Sequence, residues 1–209
     1  MNFRQANLEF VNFSNATLGD ADFRGAKLRG AQFTGARLPQ ANFEEADLTD
    51  ADLRGASMNI NDFEGATLTG TNLSGLNLNG ARLVRANLRG ALLQGTALSG
   101  HLSGADFRNV DIRNAHFGNV DLTNTRLEGM LLDGAYLYAL AGITGWTSIE
   151  SIRNANIHNV GERPHRHAPI HGRAWVCPEN VNQFREWALT HGAVDLEWEK
   201  WIVFRKNLS

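Results

Sequence analysis

The chain has 209 residues, 20 basic and 22 acidic side chains, a formal charge of −2 and 43% hydrophobic residues. That near-neutral balance excludes a general nucleic-acid binder, which carries a basic excess, and the hydrophobic content excludes a disordered acidic chain. A single cysteine, Cys177, excludes an intrachain disulfide framework and a Cys-rich zinc module.

The opening residues, Met1-Asn2-Phe3-Arg4-Gln5, lack the apolar core of a secretory signal. The longest apolar stretch, Ala135 to Ile143, falls short of the roughly 20 residues that cross a bilayer. The expectation is a soluble, cytoplasmic protein.

From Phe3 to Leu98 every fifth residue is Leu, Phe or Met, at all twenty positions. Two residues before each, the residue is mostly small, Ala at fourteen of the twenty, and two residues after stands Gly at eleven. A period of five fits neither a helix nor an ordinary strand, whose periods are 3.6 and 2.0. Each five must contain two inward residues, one large and one small, and a change of chain direction. Gly turns the chain because it accepts positive φ; Asn replaces it at 109, 114, 119 and 124. The pattern therefore predicts a solenoid in which each coil hydrogen-bonds to the next. Phe3, Phe23, Phe43 and Phe63 lie twenty apart, with Phe13 and Phe33 between them. That spacing suggests a coil of four five-residue sides, although a period of ten alone also fits a two-sided coil.

Ala-Asp-Phe-Arg-Gly (21–25), Ala-Asp-Leu-Arg-Gly (51–55) and Ala-Asn-Leu-Arg-Gly (86–90) resemble the A(D/N)LxX motif of the pentapeptide-repeat proteins. The resemblance covers residues 1–140. It implies an all-β solenoid, a right-handed quadrilateral β-helix with four repeats per coil. The register slips once, by one residue, between Leu98 and Leu102, and then runs through Phe107, Ile112, Phe117, Leu122, Leu127, Leu132 and Leu137. Twenty-eight repeats then make about seven coils. The slip near Ser99-Gly100-His101 is expected to tighten one corner as a tolerated deletion.

All five tryptophans and three of the four prolines follow residue 140, which sets a boundary and makes 141–209 a capping segment. Ile152, Ala155, Ile157 and Val160 keep the register of Leu137, so 150–160 is read as a last partial coil after a loop or short helix at 141–150. A Pro- and His-bearing connector, 161–174, follows. From Pro178 the spacing of Val181, Phe184, Trp187 and Ala188, with Gly192 as the stop, predicts one α-helix over about 179–191. Ala193–Leu196 and Trp201–Phe204 fit strand or helix equally.

Candidate chemistry is sparse. His165, His167 and His171 with Cys177 offer metal-ligand types, but Arg163, Arg166 and Arg173 share that loop and no ligand spacing is present, so a solvated basic loop is the reading. Glu44, Glu45, Asp47, Asp50 and Asp52 form a local acidic run, and Arg82, Arg85 and Arg89, with Arg108 one coil on, a modest basic patch. A filled solenoid gives a carboxylate pair no pocket in which to shift its pKa. The glycines follow the repeat and form neither a GxxxxGK phosphate loop nor a Gly-x-Ser-x-Gly elbow.

The expected function is a non-catalytic protein-interaction scaffold, not an enzyme, with no cofactor, no metal, no membrane contact and no direct nucleic-acid binding. Its protein partner is unidentified. Some members of the family the chain resembles mimic DNA and protect or inhibit DNA gyrase. Here residues 1–140 carry 15 acids and 12 bases, far from a duplex's one negative charge per about 1.7 Å. An enzyme or metal module in the tail is the remaining, weaker alternative. At the N-terminal end Phe3, Leu8, Phe10, Val11 and Phe13 make an apolar surface beside unpaired strand edges, expected to dock a second copy in a homodimer.

Overall fold

A computed structural model describes residues 1–141, 146, 149, 156–158 and 179–195. The five-residue sides close into a four-sided coil, because residues twenty apart pair in parallel on every side. Asn2 pairs with Asp22 on the first side, Asn7 with Lys27 on the second, Asn12 with Gln32 on the third and Thr17 with Arg37 on the fourth. One side shows how the backbone is satisfied. The Phe3 N–H donates to Asp22 O at 2.7 Å, the Asp22 N–H donates back to Met1 O at 2.9 Å, and the Ala6 N–H closes the corner onto Phe3 O at 3.0 Å. The solenoid fold is as the sequence predicts, and the coil count differs slightly: the structure has about five turns, against the seven expected from counting repeats.

Regular strands concentrate on the fourth side. They are β1 (Arg37–Pro39), β2 (Ser57–Asn59), β3 (Asn77–Arg82), β4 (Ala97–His101), β5 (His116–Asp121), β6 (Tyr136–Ala141) and β7 (Asn156–His158). Among the strands β1 pairs with β2 alone; β3 to β7 form a second parallel sheet, extended by β8 (Val194–Asp195). β7 keeps the twenty-residue register, Leu137 opposite Ile157, as read for the partial coil. The helix α1 spans Glu179–Thr190, within a residue of expectation. Its end is a Schellman motif: Gly192 has φ 95°, its N–H reaches Leu189 O, and the Ala193 N–H donates to Ala188 O at 3.0 Å. Ala188 and Ala193 are buried and Trp187 packs against the core, while the side chains of Val181 and Phe184 lie outside the described residues. Val194–Asp195 settles that segment as strand; 201–204 also lies outside the described residues.

The inward positions are filled from Leu18 to Leu140. Phe3, Phe23, Phe43 and Phe63 stack in one column, with centroids 4.9, 5.0 and 5.1 Å apart. Phe13 and Phe33 form the facing column and meet the first edge-on at 5.8–6.0 Å. The single register slip falls at Gly100. With one residue missing, Gly100 stands two after Leu98 and two before Leu102, so it serves as corner and as small inward residue at once. It takes φ 117°, and a Cβ there would meet Ala81 O at 3.2 Å. The ladder shifts from a twenty-residue to a nineteen-residue step across this point, with Arg82 opposite His101.

Candidate functional site

The repeat divides the residue types. Inward positions are mostly Ala, Leu and Phe, so titratable groups fall on the outward positions and at the corners. In the Asp-x-Arg units the outward Asp and the Arg two residues later meet: Asp22 with Arg24 at 2.7 Å, Asp52 with Arg54 and Asp111 with Arg113 at 2.6 Å, and Asp106 with Arg108. The Arg24 hydrogen bond holds the Asp22 carboxyl at about 2. Arg54 and Arg108 lower Asp52 and Asp106 in the same way. At Asp111 burial pushes upward, but the hydrogen bonds from Arg113 and Gln94 outweigh it and the net shift is downward.

The acidic run does not survive folding as a cluster. Glu44 and Glu45 sit at the end of the first side, Asp47 and Asp50 on the second and Asp52 on the third. Asp52 is taken by Arg54, and Asp50 lies 3.9 Å from Arg29. The basic patch divides likewise. Arg82 and Arg85 bind Glu64 on the first side, while Arg89 lies on the second beside Arg108, whose coil accepts the Gly90 N–H. One described cavity, lined by Ile112, Phe117, Leu127, Met130, Leu140 and Ile149 among others, is wholly apolar. Among the described residues no group of three His, Cys, Asp or Glu is placed to hold a metal. His165, His167, His171 and Cys177 lie outside the described residues.

The N-terminal set is only partly brought together. Phe3 and Phe13 are 5.7 Å apart and, with Leu8 and Val11, are half-buried against the core. Phe10 departs from them: its corner φ is 57°, it is 71% exposed, and its ring covers Gly30 of the next coil, where a Cβ would lie 2.6 Å from the ring.

Sequence reasoning missed a feature of the fourth side. From the third coil on, its outward residues are Ser57, Asn59, Asn77, Asn79, Ala97, Ser99, His116, Gly118, Tyr136 and Tyr138, with no charge among them. His116 stacks on Tyr136 at 4.7 Å, and burial lowers the imidazole pKa. Reading the sequence in columns of twenty would have found this strip. No described helix is long and apolar enough to cross a membrane.

The family model for pentapeptide repeats matches in eight copies, over residues 2–38, 26–59, 62–100 and 101–137. No curated protein matches the chain. Among solved structures, a trypsin-treated variant of QnrB1, a plasmid-mediated fluoroquinolone resistance protein, is 27% identical with a TM-score of 0.54, covering 64% of this chain and 75% of that one. HetL, a pentapeptide repeat protein involved in heterocyst differentiation regulation from the cyanobacterium Nostoc sp. strain PCC 7120, is 25% identical with a TM-score of 0.47, covering 75% and 73%. A pentapeptide repeat protein of the Arabidopsis thaliana thylakoid lumen is 34% identical over 52% of this chain and 69% of that one, with a TM-score of 0.26.

Proposed function

The chain belongs to the pentapeptide-repeat family, and from that premise we propose that it is a non-catalytic scaffold whose outer sides bind a protein partner. The observation that carries this reading is the division of residue types. The described interior is apolar apart from Asn61, Thr71, Thr96 and Thr125, the described cavity is apolar, and the carboxylates of the Asp-x-Arg units are held in ion pairs at outward positions. Such a rod supplies a long surface and, among the described residues, no enclosed polar site for chemistry. The uncharged strip on the fourth side is the surface we assign to the partner, since interface centres are depleted in charge and enriched in aromatic residues.

Membership of a family in which some proteins mimic DNA keeps DNA mimicry as the competing reading. The local Asp–Arg pairs oppose it, because a mimic must present uncompensated negative charge along its length. A photo-crosslinking residue at Asn79, compared with one at Thr49 on the second side, tests the scaffold in the native cell. One discrete protein adduct at 79 and none at 49 is expected; equal capture at both sites rejects the strip. A gyrase supercoiling assay with purified protein is expected to show neither inhibition nor protection, and a dose-dependent effect of either kind favours mimicry. The homodimer through the N-terminal end stays part of the proposal. Sedimentation should show a dimer that Phe10→Asp weakens, because Phe10 flanks the half-buried Phe3, Leu8, Val11 and Phe13. A concentration-independent monomer removes it.

A further inference from the structure

The fourth side is laddered along its described length except at one place. β2 and β3, in the third and fourth coils, do not pair. Among the described residues the Gln40 N–H bonds Asn59 O, and the Ser57 N–H bonds Ala36 O. The equivalent bonds one coil later, Ile60 N–H to Asn79 O and Asn77 N–H to Ala56 O, are not made, and neither is the corner bond from Asn61 N–H to Met58 O. The other three sides of the same junction stay paired, Asn42 with Asp62, Asp47 with Thr67 and Asp52 with Asn72.

Three departures from the repeat meet at this seam. Ile60 occupies a left-handed corner, φ 51°, where a β-branched residue is strained, and it is 64% exposed. Asn61 stands where the repeat places Ala and is 2% exposed. Its Nδ2 donates to Leu38 O at 2.7 Å and to Ala41 O at 3.1 Å, and its Oδ1 is buried without a partner. One coil earlier the corresponding carbonyl, Ala21 O, accepts the Asn42 backbone N–H at 2.9 Å. The Asn61 side chain thus competes with the ladder for Ala41 O. Met58 replaces Leu, and Ala56 and Met58 are each 8% exposed, where Ala36 and Leu38 are fully buried.

We propose that this seam is a built-in hinge. The third and fourth coils part along the fourth side and pivot about the second, where Asp47 and Thr67 hold. The rod then bends towards or away from whatever lies on its uncharged strip. Partial opening of this kind is expected where backbone bonds are missing and buried polar groups are unsatisfied.

Amide hydrogen exchange resolved by residue on the full chain tests the hinge through bonded amides, whose rates a static gap leaves alone. Opening from the fourth side must reach the neighbouring sides first. The Phe43 and Leu53 amides, bonded to Asp62 O and Asn72 O, should therefore exchange at least about ten-fold faster than Phe23 and Leu73, which make the same bonds at adjacent junctions. Leu48, at the pivot, should match Leu28 and Leu68. In Ile60→Gly/Asn61→Ala the Phe43 and Leu53 rates should fall to those of Phe23 and Leu73. Equal rates in the unaltered protein overturn the hinge, as do fast rates that persist in a folded double variant. If the double variant does not fold, the gradient in the unaltered protein alone decides.

Discussion

The first three coils and the last two solve the same packing problem with different side chains. In the first, the facing columns are aromatic, Phe3, Phe23 and Phe43 against Phe13 and Phe33, and the small positions are mostly Ala, fully buried from Ala26 to Ala46. In the last, Phe107 and Phe117 stand on the other pair of sides, and the small positions enlarge to Val110, Val120, Met130 and Leu140. That exchange fills the interior less completely, and the apolar cavity lies there, between Ile112 and Ile149. A repeat sets where a side chain points; how tightly it packs depends on its neighbours one coil up and one coil down.

The largest effect should come from the dense end. Phe43 sits between two stacked rings and is fully buried, so Phe43→Ala should cost about 3–5 kcal/mol in equilibrium denaturation. Leu127→Ala, at the loose end, should fall near the low end of the roughly 2–5 kcal/mol range for leucine, because the site already borders a cavity. Equal losses would erase the distinction between the two ends.

Gly100→Ala should cost about 1–3 kcal/mol, since φ 117° and the Ala81 carbonyl both oppose a Cβ. Gly90→Ala shares the positive φ but has open space around it, and should lose less. A Gly100 variant as stable as the Gly90 variant would show that the slipped corner is not a tight point.

Acid should act on the two ends in different windows. His116 has its pKa lowered by burial, so its neutral form is the folded one, and stability is lost as pH falls below about 6.5. The carboxyls of Asp22 and Asp52 are held low by arginine, so their contribution is present above about 4 and is lost as pH falls below that, for Asp22 towards about 2. Both pairs face solvent, which screens them, so each contribution is small. Melting His116→Asn and Asp22→Asn across pH should remove the upper and the lower limb respectively. A pH profile unchanged by His116→Asn refutes its assignment. The smallest effect belongs to Thr49, an outward residue, whose replacement by Asn should stay within about 0.5 kcal/mol.

The inward half of each repeat was legible because burial imposes a period that can be counted. It located Phe43, Leu48, the slip at Gly100 and the helix that ends at Gly192. The corners were legible only in part. Glycine was expected there, yet Gln5, Phe10, Glu45 and Ile60 hold the same left-handed conformation, because laddered neighbours on both sides of a corner can impose it. The seam was not read from the sequence. The five-residue register runs through Asn61 unbroken, and although Met58, Ile60 and Asn61 depart from the repeat, only the structure shows that the Asn61 side chain takes the Ala41 carbonyl and that the ladder is missing there. The surface is the least constrained of all, since outward positions accept many residues, and the uncharged strip emerges only when residues twenty apart are placed together.

Paired denaturation midpoints for Leu48→Phe and Leu127→Phe test the account of packing most directly. Leu48 lies in a filled column with no exposure, while Leu127 follows Phe107 in its column and lines the cavity. Enlarging Leu48 should cost about 1–3 kcal/mol through overpacking, and enlarging Leu127 should be neutral or stabilising. Equal destabilisation by the two substitutions, or a greater loss at Leu127, would contradict a rod that is dense at one end and loose at the other.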